Sequence, residues 1–345
     1  MKASPLVPHR LVLALCTALL GTSAAAASGF SGPLFGLTTA PNGALLVADT
    51  GAGIVSQDGS SLRLPPLPGI TDIGVIGRSS MWATRTGSVP GQDTGQGLFR
   101  ISNGKARLMV NLFAFELANN PHQGDVLESN PFDVQSIDGG DAAVVADAAA
   151  NDLLHVDSKG KVKVLAVFPN ALASTANIKS LFGCPAGPPN ICGLPAQIPA
   201  QPVPTSIAIG PDGWYYVGEL KGFPAPTGAS RIWRVAPWAS WADCGNSSDC
   251  QLVFDGGFTS IIDLAFGPDG LLYVVELDEA SWFANEVLGQ PTTGTINACD
   301  VTTHACLVHK SGLVSPTAIT FGKNGKLWST EYALTPPLAR VVEIP

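Results

Sequence analysis

Short apolar runs recur along this chain in one arrangement: a strand-length run, a tight Gly-containing turn, a second run, then an acidic residue. The clearest copies are TSIAIGPDGWYYVGE (Thr205–Glu219), IIDLAFGPDGLLYVVE (Ile261–Glu276) and TAITFGKNGKLWSTE (Thr317–Glu331). Looser copies are GLTTAPNGALLVAD (Gly36–Asp49), VQSIDGGDAAVVAD (Val134–Asp147) and IGVIGRSSMWATR (Ile73–Arg85). Aligned on the last residue, an apolar or Thr position recurs ten residues earlier, at Thr39, Val75, Ile137, Ile209, Phe266 and Phe321. Such runs, bounded by Gly, Pro and Asn turns, read as strands. Their fixed register settles the architecture before any chemistry is considered. Further strand-like runs follow the acid, as in RIWRVAP and CQLVFDG. Four short strands per unit, repeated about six times, predict an all-β, six-bladed β-propeller.

The blades are expected near residues 36–68, 70–115, 132–168, 204–256, 260–310 and from 316 onward. The last lacks one outer strand, so the segment from residue 28 is expected to pair with it and close the ring. Turns between first and second strands are short and share one face. The long insertions, Thr86–Gly97, Glu116–Pro131, Asn170–Val203, Leu220–Ser230 and Leu277–Thr293, fall on the other. Only the Pro237–Asp249 hairpin enlarges the short-turn side. Long loops on a rigid scaffold are where binding residues concentrate.

The first residues stand apart. Lys2 and Arg10 precede an apolar run, Leu11–Leu20, and small residues follow through Ala27. This is a signal peptide cleaved near Ala27, too short to span a bilayer. Cys16 lies inside its apolar run. No later stretch is long and apolar enough for a membrane helix, so residues 28–345 read as a single soluble, secreted or periplasmic domain.

Removing the signal takes away two basic residues and no acid from a formal charge of −8. Such an acidic chain is poorly matched to nucleic acid, which leaves cations, a small polar molecule or a cell-surface partner. The six cysteines beyond Cys16 fall in local pairs, Cys184/Cys192, Cys244/Cys250 and Cys299/Cys306. In an exported chain these read as disulfides. Only His304 lies within a pair, too sparse a set for zinc.

Two groups of candidate residues follow. The repeat-ending Asp49, Asp147, Glu219, Glu276 and Glu331, with Arg85 in blade 2, form a rough ring on the loop-rich face. That ring could orient a polar ligand or hold Ca²⁺. Equally, each acid could accept backbone N–H groups of its own turn, with no shared ligand. Asp72, Asp133 and Asp263 lie near inner-strand starts and are a possible calcium set at the channel mouth. Asp72 and Asp263 share a parity and Asp133 falls one residue out of step, so the three need not point the same way. The segment Phe115–Val134 gathers Glu116, Asn119, Asn120, His122, Asp125, Glu128, Asn130 and Asp133. His122 is its general-base candidate, or an exposed loop histidine. The blade 4 loop GELKGFPAPTGASR offers Glu219, Lys221 and Arg231, with Phe223 as an apolar contact. Glu219 and Glu276 complete a catalytic alternative with His122. No nucleophile elbow, HExxH or P-loop occurs.

The segments NNPHQGDVLESNPFDV, VVADAAANDLLHVD and VPTSIAIGPDGWYYVGELKGFPAPTGASRIWRV resemble the ScyD/ScyE family of exported NHL-like propellers. The likeness covers essentially the whole mature chain. It implies a six-bladed propeller outside the cytoplasm, and it supplies no settled catalytic residues. More distantly, the fold is similar to gluconolactonase-type propellers, which bind a divalent metal at the channel mouth. Thr205 and Thr317 stand where such a metal site would favour acids or amides. Two functions are therefore expected to compete: a binding module without turnover, and a metal-assisted hydrolase or oxidative enzyme using channel-mouth carboxylates.

Overall fold

The computed structural model describes residues 29–345 except Arg63, Pro90 and residues 123–126. The predicted signal peptide with Cys16, the cleavage point and Asp125 lie outside these residues. Six antiparallel sheets follow one another as blades, with inner strands Leu34–Thr39, Ile70–Val75, Pro131–Ile137, Pro204–Ile209, Ile261–Phe266 and Ile319–Phe321. The second strands Leu45–Asp49, Ala142–Asp147 and Tyr215–Glu219 are buried along their whole length. A neighbouring blade covers each of their two sheet faces, so their sequences are continuous apolar runs and not alternations. The outer strand Cys306–Leu313 is largely exposed, and Lys105–Asn111 is exposed to half-buried.

The core is divided by the same logic. Among the described residues it forms six clusters, and each spans one blade junction. The junction of blade 6 with blade 1 packs Phe30, Leu34 and Leu37 on Ala318, Ala333 and Ala339. The N-terminal strand closes the ring there through its own contacts: the Leu34 N–H donates to the Ala333 carbonyl at 3.0 Å. Residues 29–33 form no strand, and the blade 6 sheet keeps three strands among the described residues. Blade 1 also has three. Its exit carries Pro65, Pro66 and Pro68, and a proline cannot donate to a fourth ladder.

Two local departures from expectation bear on function. Residues Leu112–Asn119, expected to end a strand and open a loop, form a helix capped by the Asn111 side chain, which accepts from the Ala114 N–H. The Pro237–Asp249 hairpin sends Ala242–Asp243 onto blade 3 as a fifth, parallel strand. The three disulfides form as the spacing predicts, Cys184–Cys192, Cys244–Cys250 and Cys299–Cys306, and they fit an oxidising compartment. No helix among the described residues is long and apolar enough to cross a membrane.

The Thr317 hydroxyl donates to the Leu34 carbonyl at 2.6 Å, across the closing junction. Thr317→Val keeps the shape and removes this donor, so it is expected to cost about 1–2 kcal/mol by urea denaturation.

Candidate functional site

The inner strands begin on the loop-rich face, and five of them bulge in their first residues. Leu34, Ile70, Pro131, Pro204 and Ile261 pair with the second strand, the next residue is skipped, and Gly36, Asp72, Asp133, Ser206 and Asp263 resume the ladder. Asp72, Asp133 and Asp263 are therefore equivalent positions, which corrects the expected offset of Asp133. The offset arises because Pro131 faces Asp147 across a hairpin one residue longer than those joining Ile70 to Arg85 and Ile261 to Glu276.

Each of these carboxylates reaches the next blade. Asp72 accepts the Val134 N–H at 3.1 Å, Asp133 the Ile207 N–H at 2.5 Å, and Asp263 the Ile319 N–H at 2.7 Å. Burial raises all three pKa values, with Asp133 and Asp263 held well above the usual carboxylate range. The charges of Asp72 and Asp263 push Asp133 up further. All three lie at the inner end of a central cavity of about 390 Å³ that follows the strands toward the short-turn face, past Thr39, Ser136 and Thr320. On the loop side Phe35 of blade 1 and Phe132 of blade 3 meet edge to face at 5.3 Å, beside buried Ile262. This apolar plug separates the aspartates from the loops. Calcium takes six to eight oxygen ligands. Among the described residues no three His, Cys, Asp or Glu side chains are arranged to hold a metal ion. As placed, each of the three aspartates serves a blade junction.

The strand-end ring is likewise taken up blade by blade. Asp49 accepts from the backbone of Ser31, Gly51 and Ala52. Asp147 accepts from the Ser129 hydroxyl and the Asn130 and Ala150 N–H groups, and burial raises its pKa. Glu276 accepts from Thr259 N–H and Asn297 Nδ2, and burial raises it too. Glu331 holds Arg340, with Nε at 2.8 Å. Among the described residues Arg85 reaches the Thr94 carbonyl, at 3.4 Å. Glu219 and Lys221 are brought together as an ion pair of 2.8 Å, 0% and 2% exposed, and Trp233 Nε1 donates to the second Glu219 oxygen at 2.6 Å. A buried pair of this kind leaves neither charge facing a ligand, and breaking it strands the other partner.

On the plug's outer side three insertions lock together. The insertion after blade 3 carries a β-ribbon, Ala171–Ser174 with Gln197–Ala200, and a short helix, Ala176–Leu181. From that helix Asn177 Nδ2 donates to the Ala225 carbonyl at 2.7 Å and the Ala280 carbonyl at 3.1 Å, so one amide joins the insertions of blades 4 and 5. Phe182, Phe223, Trp282 and Phe283 stack edgewise around the same junction, and Trp282 Nε1 donates to the Lys221 carbonyl. Phe223 remains 41% exposed.

His122 is half-buried beyond the 112–119 helix, next to residues outside those described. A different acid pair is built beside that helix. Glu116 projects from it, 3% exposed, and interacts electrostatically with Asp152, fully buried at the start of a blade 3 strand. Burial and the nearby Asp147 charge push Glu116 up to about 8, and burial with the Glu116 charge holds Asp152 well above its ordinary range. Two interacting carboxyls of this kind titrate as a pair. Sequence reading named Glu116 but not Asp152, because nothing in the linear order pairs a helix residue with a strand start in the next blade.

No family model matches the chain, and no curated protein matches it. Solved structures do. One is a catalytically inactive virginiamycin B lyase from Staphylococcus aureus with quinupristin, 15% identical, TM-score 0.52, covering 91% of this chain and 84% of that one. Another is a gluconolactonase from Xanthomonas campestris, 12% identical, TM-score 0.56, covering 92% and 88%. These likenesses establish the propeller fold.

The Glu116–Asp152 pair sets a pH dependence. Raised folded pKa values mean that the native state binds more protons than the unfolded chain between the two sets of pKa values, so stability falls as pH rises toward 8 and beyond. Melting temperature is expected to drop between pH 6 and pH 9. Glu116→Gln, whose amide can donate to an ionised Asp152, should flatten that drop.

Proposed function

We propose that this chain is an exported propeller of the ScyD/ScyE type that binds a small polar molecule or a surface ligand on its loop-rich face, without turnover. The observation that carries the reading is the interlocking of three separate insertions around Asn177 and the Phe182, Phe223 and Phe283 cluster. Drift in loop length gives independent loops; a shaped surface requires loops that hold one another in place. The strand-end acids and Lys221 support this reading indirectly, since they fix the loop bases and have their hydrogen bonds supplied by the protein.

The competing reading is a calcium-assisted, lactonase-like or oxidative enzyme built on Asp72, Asp133 and Asp263. In its favour, the three carboxylates line one cavity closely enough that Asp72 raises the pKa values of Asp133 and Asp263, and Asp263 that of Asp133, beyond the effect of burial. A cation entering there would displace the shared protons, so it would bind more tightly as pH rises.

One pair of measurements separates the two. Glucono-δ-lactone hydrolysis, followed with Ca²⁺ and with chelator, is expected to stay at the spontaneous rate. Calorimetric titration with neutral and acidic sugars and soluble polysaccharides is expected to find saturable binding, at least tenfold weaker in Phe223→Ala with unchanged melting temperature. Calcium-dependent hydrolysis abolished by Asp133→Asn would establish the enzyme instead.

A further inference from the structure

A second concavity lies in the seam where blades 5, 6 and 1 meet on the loop-rich face, next to the Asn177 junction and sharing with it the blade 5 insertion that carries Phe283. Its volume is about 580 Å³, and its walls include Phe35, Val314, Leu334 and Leu338, with Asn285, Ser315, Tyr332 and Thr335 as polar neighbours and Glu286 as the one carboxylate among the described lining residues. Glu286 sits on a π-helical turn, Phe283–Val287, in the insertion after blade 5. The turn is pinned from behind: Asn285 Nδ2 donates to the Ser315 hydroxyl at 3.0 Å and to Asp278 at 3.3 Å. Such turns are frequent at functional sites because the wider winding displaces one side chain from the regular helical face. Tyr332 has φ +52°, a left-handed backbone that is an outlier for a bulky residue, and Arg340 packs over its ring at 5.2 Å. A strained residue lining a cavity points to a ligand site.

Glu286 meets no donor or cation among the described residues. The charged groups around it are committed elsewhere: Asp278 to Thr292 and Asn285, Glu279 to Thr295, and Arg340 to Glu331. Blade 1 lines the seam with Pro33 and Phe35 and no charge. An uncompensated carboxylate at apolar walls selects a cation that brings its own hydrocarbon.

We propose that this seam binds a small organic cation with an apolar body, its ammonium group on Glu286 and its hydrocarbon against Phe35, Val314, Leu334 and Leu338. The proposal deepens the reading of the loop-rich face as a binding surface and rests on it. Glu286 is exposed by area, and partial desolvation at the seam pushes it up to about 7. A bound ammonium favours the ionised form, so affinity should follow the ionised fraction, which rises from about a tenth at pH 6 to about nine tenths at pH 8.

The test is calorimetric titration with 4-phenylbutylamine and its neutral counterpart 4-phenylbutanol. The amine is expected to bind about tenfold more tightly at pH 8 than at pH 6, and the alcohol equally at both. Glu286→Gln should abolish the pH dependence and weaken the amine about tenfold at pH 8, with alcohol binding unchanged. Amine binding that ignores both pH and Glu286→Gln, or no saturable amine binding, overturns the proposal. If the amine fails while sugar binding still depends on Phe223, the seam is excluded and the loop-rich binding surface stands. If both fail, the reading of the face falls with it.

Discussion

The junctions between inner strands are the constraint on which the ring depends. Six wedges meet at the axis, where strand starts crowd together and backbone groups must find partners without water. This chain meets the need with two side-chain devices. Thr71 and Thr205, one residue into the strands of blades 2 and 4, and Thr317, two residues ahead of the blade 6 strand, donate to the first carbonyl of the following blade, at Pro131, Ile261 and Leu34. One residue further on, Asp72, Asp133 and Asp263 accept an N–H from the blade that follows theirs. At the remaining junction, blade 1 to blade 2, Gly36 lets the strands approach directly: a Cβ there would lie 2.4 Å from Asp72 Oδ1. The same crowding raises the aspartates' pKa values, so the junction keeps protons that isolated carboxyls would lose.

Those joints explain the division of labour between the faces. In blades 1, 3 and 5, where the threonine is absent, the position holds Phe35, Phe132 and Ile262, and these close the axis toward the loops. The acidic axial cavity then belongs to the short-turn side, while the loop side presents an apolar plug rimmed by insertions. On the proposed reading, recognition on the loop side would depend on the insertions: the Asn177 junction over blades 3, 4 and 5, and the Glu286 seam toward blade 6. Both rest on bases fixed by the strand-end acids, which is a structural use for residues that looked like a ligand ring.

Much of the fold was legible because the repeat is local. Strand pairs, short turns, cysteine pairs and the asymmetry of loop length can all be read within one unit. What was not legible depended on the next unit. The equivalence of Asp133 with Asp72 was hidden by one extra hairpin residue, since counting from Asp147 misplaces it. The partnership of Asp152 with Glu116 crosses a blade boundary, and the LFAFELAN run has enough apolar residues to pass for a strand. Thr205 and Thr317 looked like substitutions in a metal site, whereas their hydroxyls are junction donors. Glu286 carries no motif; only the π-turn and the seam around it single it out.

The central claim is that the axial carboxylates hold blades together. Amide hydrogen exchange at Val134, Ile207 and Ile319, compared in Asp72→Ala, Asp133→Ala and Asp263→Ala, tests it most directly. The account predicts that each substitution speeds exchange chiefly at its own acceptor's partner: Val134 for Asp72, Ile207 for Asp133 and Ile319 for Asp263. Uniform protection at all three amides in every variant would contradict it, and would return these aspartates to the list of groups free for a ligand.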